Sequence, residues 1–184
     1  FNCTSNNITT AEEFSSLHQK FAEKRYGKLK EAAPKRLGLI IDIERTNSSK
    51  EGVLKDVAQS ILKNALSLHQ YHHQVDAASG KTISFGLVRL ANIDPLVQVA
   101  QNLYGLTPPA DTKIHLCTYH SQHLQFMRSD IEQQLDQVLN RRDPNSLFGL
   151  PLIRRELNQS SATNHIFIVL ASPVAEVGRD HDYD

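Results

Sequence analysis

The chain has no tryptophan, a single methionine and only two cysteines in 184 residues. Cys3 and Cys117 stand far apart and form no Cys-x-x-Cys, which argues against a disulfide scaffold or a cysteine-based zinc framework and suits a reducing compartment. Neither sign of charge is in excess: 20 basic residues balance 20 acidic ones, so any contact with nucleic acid must be local. No apolar run approaches the roughly 18 residues of a membrane span. The opening Phe1-Asn-Cys-Thr-Ser has no basic or apolar leader region, so no signal peptide is expected, and the sequons at Asn2, Asn7, Asn47 and Asn158 read as chance. It also has no initiator methionine, and the chain reads as a piece of something longer. A Gly-x-Ser-x-Gly elbow is absent, and Ser172-Pro173 is a poor nucleophile setting, so acyl transfer finds little support.

Strands alternating with helices are present. Thr10-Ala-Glu-Glu13 has capping-box spacing and introduces Phe14, Leu17 and Phe21 on one face, predicting a helix over residues 10–33 that Pro34 ends. Leu37-Gly-Leu-Ile-Ile-Asp-Ile43 has strand composition. A second capping box, Ser48-Ser-Lys-Glu51, opens a long amphipathic helix through Leu68. Residues 75–82 are expected to form a loop and 83–90 a strand, with Asp94-Pro95 starting the next helix. Strand 113–119, a helix opened by Ser129-Asp-Ile-Glu132, shorter helical pieces after Asp143-Pro144 and Leu150-Pro151, and a final strand through His165-Ile-Phe-Ile-Val-Leu170 complete the pattern. Such alternation implies a mostly parallel sheet between helical layers, an α/β fold.

Several motifs attract attention. Gly80-Lys81-Thr82 has the wording of a phosphate loop's end, but its first glycine would fall on Val75 and the triplet precedes a strand, so a polar turn is the better reading. His69 and His73 have zincin spacing with Gln70 in place of glutamate, which favours a solvated helix end. His115, His120 and His123 straddle a strand end as possible ligands or local hydrogen-bonding groups, and His181-Asp182 has the form of a metal-binding dipeptide without the partners around it. The best site candidate lies beyond the last strand, where open α/β sheets bind ligands: Ser172, Gly178 and the cluster Arg179-Asp-His-Asp182.

Leu170-Ala-Ser-Pro-Val-Ala-Glu-Val-Gly-Arg-Asp-His-Asp-Tyr-Asp184 resembles motif V of superfamily-two helicases, most closely the CRISPR-associated helicase-nuclease of type I systems in the subtype fused to an adaptation-type domain. Arg89-Leu-Ala-Asn92 before Asp94-Pro95 resembles that family's motif IV region. Cys117-Thr-Tyr-His-Ser121, with Leu135 to Pro144 after it, resembles motif IVa. The resemblance implies a partial second RecA-like lobe over residues 37–184, three-layered and incomplete at its C-terminal end, preceded by a helical connector over residues 1–36. It implies that Gly178, Arg179 and Asp180 face ATP, and that Arg89, Asn92, His120, Ser121, Ser172 and Pro173 hold single-stranded DNA through its backbone.

Mg²⁺ would be shared with a first lobe, and a divalent metal would serve a nuclease domain elsewhere in the parent. The implied partners are single-stranded DNA, a guide-RNA surveillance complex and an adaptation integrase, in the prokaryotic cytoplasm. The arginines of motif VI do not follow within the chain. Because an arginine finger carries about 10³ to 10⁵ in rate, the segment alone is not expected to hydrolyse ATP. Two rivals stand beside this reading: a non-catalytic RecA-like scaffold or adaptor, and a metal-dependent phosphohydrolase using His181 and Asp182.

Overall fold

The final strand sits at the middle of the sheet. In the computed structural model, which describes residues 10–31, 38–139, 146–176 and 183, four strands form: β1 (Gln74–Val75), β2 (Thr82–Arg89), β3 (Thr112–Tyr119) and β4 (Asn164–Ala171). Their order is β1-β2-β4-β3. Both neighbours of β4 run parallel to it along its whole length, from Asn164 opposite Thr82 and Thr112 to Ala171 opposite Arg89 and Tyr119. Only β1 is antiparallel. A mixed α/β fold with a mostly parallel, open sheet is therefore what the alternating pattern predicted.

The period of two along β4 divides two cores. Ile166, Ile168 and Leu170 pack with Ala58 of helix α2 (Lys50–Tyr71) and with Leu96, Val99 and Leu103 of α3 (Ile93–Tyr104). Val169 and Ala171 face the other way, into Leu135 and Val138 of α4 (Gln125–Val138) and Ile153 and Leu157 of α5 (Pro151–Asn158). None of Ile166, Ile168, Val169 and Leu170 is more than 2% exposed. Each such side chain contributes about 1.5–3 kcal/mol by leaving water, so a strand apolar on both faces is held only between two helical layers.

Polar contacts fix the connections. Ser49 caps α2 by accepting from the Gly52 amide at 3.0 Å, one residue later than the capping box suggested. Asp56 of α2 accepts from the Thr46 amide at 2.8 Å and from its hydroxyl at 2.6 Å; the hydroxyl bond is the main reason its carboxyl lies below the usual range. Where residues 75–82 were expected to form only a loop, a tight hairpin joins β1 to β2. Gly80 takes φ 71°, a left-handed geometry that glycine adopts without a Cβ penalty. Asp76, 2% exposed, closes that turn through Ser79 and reaches α5, whose Arg154 donates to it at 2.7 and 3.0 Å.

The chain divides into two compact units, residues 1–42 and 43–184. In the first, helix α1 (Ala11–Glu31) forms with the predicted capping box: Glu13 N donates to Thr10 Oγ1 at 3.2 Å and Thr10 N to Glu13 Oε2 at 3.3 Å. The expected strand over residues 37–43 is corrected: no strand forms over residues 38–43, and Leu39, Ile40 and Ile41 are 81%, 98% and 53% exposed. An apolar run becomes a strand only where an edge accepts its backbone hydrogen bonds, and among the described residues none does. The helix expected from Ser129 begins instead at Gln125, because Gln-Phe-Met-Arg128 are adequate helix formers with nothing to block them. Glu132 then bonds the Tyr119 hydroxyl rather than serving a cap. Among the described residues no helix is long and apolar enough to cross a membrane.

Candidate nucleic-acid interface

Parallel pairing places three strand ends in one row, with Arg89, Ala171 and Tyr119 side by side. The next residues remain stitched together. Leu90 N donates to Ala171 O at 3.0 Å, and Ser172 N to Tyr119 O at 3.1 Å. Asn92, His120, Ser121, Ser172 and Pro173 therefore leave the same edge of the sheet from three different strands, beside Arg89. Ser172 is buried and Pro173 exposed, and the turn that follows closes when Ala175 N donates to Ser172 O at 3.2 Å.

Asn92 stands at the N-cap of α3 with extended backbone, yet its side chain makes no capping hydrogen bond and is exposed. An N-cap asparagine ordinarily satisfies an amide of the first turn. This one forms no such bond, and its carboxamide is open to solvent.

His120 is 7% exposed, and its Nδ1 is buried with no hydrogen-bond partner among the described residues. Its ring lies nearly flat on that of His123, with centroids 3.9 Å apart. His123 Nε2 is 2.9 Å from Thr118 O, a carbonyl that can only accept, so this ring carries its proton on Nε2. Burial, with His123 second, lowers the pKa of His120 and favours its neutral form. His123 was expected only as a possible ligand or local hydrogen-bonding group; its role as the platform beneath His120 depends on the loop's fold, which spacing does not reveal.

Gly178, Arg179 and Asp180, and with them His181 and Asp182, lie outside the described residues. Gly80-Lys81-Thr82 is a turn: the Lys81 ammonium donates to the carbonyls of Leu157, at 2.5 Å, and Ser160, capping α5 at the opposite end of the sheet. The solvated helix end expected at His69 is corrected. That ring is buried between Ser84 Oγ, 2.6 Å from Nδ1, and Thr82 Oγ1, 2.9 Å from Nε2, because the start of β2 lies beneath the last turn of α2.

A separate cavity of about 280 Å³ opens at mid-sheet against α4 and α5, lined by His115, Cys117, Gln134, Glu156 and apolar side chains. His165 Nε2 donates to Ala162 O at 3.1 Å, so its Nδ1 accepts from His115 Nε2 at 3.0 Å. Burial, helped by the Lys113 charge, pushes His115 down to about 4. These histidines join β3 to β4 locally, and among the described residues no group of three or more His, Cys, Asp or Glu side chains converges to hold a metal ion.

Residues 82–184, more than half of the chain and the part containing all three strand ends, match the family model for the CRISPR-associated nuclease/helicase Cas3, C-terminal. The chain is 44% identical over 185 aligned positions to the CRISPR-associated nuclease/helicase Cas3 subtype I-F/YPEST of Pectobacterium atrosepticum, covering 100% of this chain and 17% of that protein. It is 40% identical over 173 positions to the Pseudomonas aeruginosa protein of the same description, covering 93% of this chain and 16% of that one. The chain thus spans about a sixth of the length of these relatives. A three-layered lobe with a mostly parallel sheet, and a match running from the first residue of β2 across the whole strand-end edge, mean that this chain belongs to the Cas3 nuclease/helicase family, in its C-terminal helicase region.

Proposed function

We propose that the chain supplies half of the DNA channel and half of the ATP cleft of an ATP-dependent translocase on single-stranded DNA, coupled to DNA degradation by a nuclease elsewhere in a longer protein. Residues 37–184 are then a partial second RecA-like lobe and residues 1–36 a connector. The reading is carried chiefly by the buried Nδ1 of His120, without a hydrogen-bond partner among the described residues, at a strand-end edge shared with Asn92 and Ser172. A buried polar atom without a partner costs about 1–3 kcal/mol. A phosphate oxygen accepting from Nδ1–H relieves that cost, while His123 holds the imidazole flat.

Asn92, Ser121 and Ser172 contribute neutral donors, Arg89 a charge, and Pro173 fixes the turn that presents Ser172. Such groups track a phosphate backbone without reading bases, and they fit a chain of zero net charge. The loop residues Gly178, Arg179 and Asp180 face the nucleotide: glycine admits a close approach, and Asp180 accepts from a ribose hydroxyl or orients Arg179. ATP, when bound with Mg²⁺ held largely by the other lobe, supplies the free energy that closes the cleft between lobes. The strand would be one exposed by a guide-RNA surveillance complex in the bacterial cytoplasm, with an adaptation integrase as a further partner.

The test is single-strand-stimulated ATPase of the full-length parent carrying Asp180→Ala or Ser172→Ala. Loss of hydrolysis is expected for the first and weakened stimulation by DNA for the second. Wild-type behaviour in both would instead favour a non-catalytic RecA-like scaffold.

A further inference from the structure

Helix α1 is 21 residues long and buries none of them. Isolated helices of this length are marginal in water, and helices in proteins draw most of their stability from packing an amphipathic face. Such a face exists here. At 3.6 residues per turn, Phe14, Leu17, Phe21, Arg25 and Lys28 follow one another along one side. The three apolar members are 52%, 42% and 47% exposed. The face is therefore apolar over its first two turns and basic beyond them, while Gln19 and Glu23, joined at 3.1 Å, occupy the opposite side.

An independent observation lies in the same unit. Leu39, Ile40 and Ile41 have the composition of a buried strand, yet all three are more than half exposed and have no strand pairing among the described residues. Single exposed apolar residues are ordinary, but an apolar helical stripe and an unpaired aliphatic run within one short unit mark a surface meant to be covered. The relatives suggest the source of the cover, since a protein 44% identical across this entire chain devotes only 17% of its length to it.

We infer that the unit of residues 1–42 docks within the same longer polypeptide, α1 laying Phe14, Leu17 and Phe21 into an apolar groove whose far end is acidic and meets Arg25 and Lys28. Leu39 to Ile41 add to an open sheet edge of that polypeptide. This rests on the reading of the chain as part of a longer helicase. The apolar half supplies affinity and the basic half sets direction, because a reversed helix would bring cations onto the apolar end.

Hydrogen–deuterium exchange on the full-length parent, set beside the isolated 184-residue chain, tests it. Peptides covering residues 11–31 and 38–42 are expected to exchange about a hundredfold or more slowly in the parent. Arg25→Glu with Lys28→Glu should restore fast exchange in residues 11–31 of the parent, and Glu23→Lys on the opposite side should not. Equal exchange in parent and isolated chain overturns the inference. So does protection of the isolated chain that grows with its concentration, which would make the cover a second copy, or protection appearing only with single-stranded DNA. The ATPase of Ser172→Ala reads the helicase assignment separately, so failure of one does not imitate failure of the other.

Discussion

Replacing Asp76 with alanine removes five hydrogen bonds at once: from the amides of Ala78 and Ser79 at 3.4 and 3.2 Å, from the Ser79 hydroxyl at 2.6 Å, and from both terminal nitrogens of Arg154 at 2.7 and 3.0 Å. Breaking a fully buried ion pair by removing one partner costs about 3–5 kcal/mol. Here the aspartate is 3% exposed but the arginine 36%, so the orphaned guanidinium regains water, as do the surface amides of the turn. The expected cost falls to about 2–3 kcal/mol. At roughly 2–4 °C per kcal/mol for a unit of this size, Tm drops by about 5–10 °C, readable by circular dichroism at neutral pH. Arg154→Ala alone should cost less than Asp76→Ala, and the double variant should fall short of the sum by about 1–2 kcal/mol.

The pH arm has a definite sign. Arg154 beside it holds the Asp76 carboxyl down at about 2, against 3.8 ordinarily. A group whose folded value is depressed stabilises fully above its unfolded value and loses that contribution as pH falls through the folded one. Wild-type stability should therefore fall between about pH 4 and pH 2 by an amount that Asp76→Asn does not show. A Tm change under about 2 °C, or strict additivity with Arg154→Ala, would refute the assignment of this pair as the clasp between the β1–β2 turn and α5.

Three further outcomes follow from the same contacts. Asn92→Ala should change stability by no more than about 0.5 kcal/mol, since no capping bond is lost, while the parent's affinity for single-stranded DNA falls; chemical denaturation and filter binding separate the two. Lys81→Met should destabilise by about 1–3 kcal/mol through the lost contacts to the Leu157 and Ser160 carbonyls and leave the parent's KM for ATP unchanged, whereas a raised KM would revive the phosphate-loop reading. Burial pushes the Cys117 thiol up to about 11, so in a Cys3→Ser background it should react with a disulfide reagent at pH 8 about a hundredfold more slowly than free cysteine and at the ordinary rate in urea.

The helical layers and the central strands were legible because long apolar runs and amphipathic stripes are local signals. His165-Ile-Phe-Ile-Val-Leu170 needed no context to be read as a buried strand, and the Thr10/Glu13 capping box formed as spaced. What escaped depends on partners distant in sequence. His69 looks like a solvated histidine until Thr82 and Ser84 are seen beneath it, and β1 is two residues long, too short for any period to show. Residues 37–43 failed for the converse reason: composition announces a strand, but pairing belongs to an edge the run itself does not contain. At the candidate site, Asn92, His120 and Ser172 stand on three separate segments, and the register supplies what spacing cannot, their emergence from one edge. The stacking of His123 on His120 had no sequence signal at all.

The position of β4 has a mechanical consequence. It is laddered along all eight residues to a parallel neighbour on either side, and its alternate side chains are keyed into both helical layers. A tug delivered at Ser172 cannot slide this strand without shearing two ladders and two cores together. Load at that end is shared by both ladders and both helical layers.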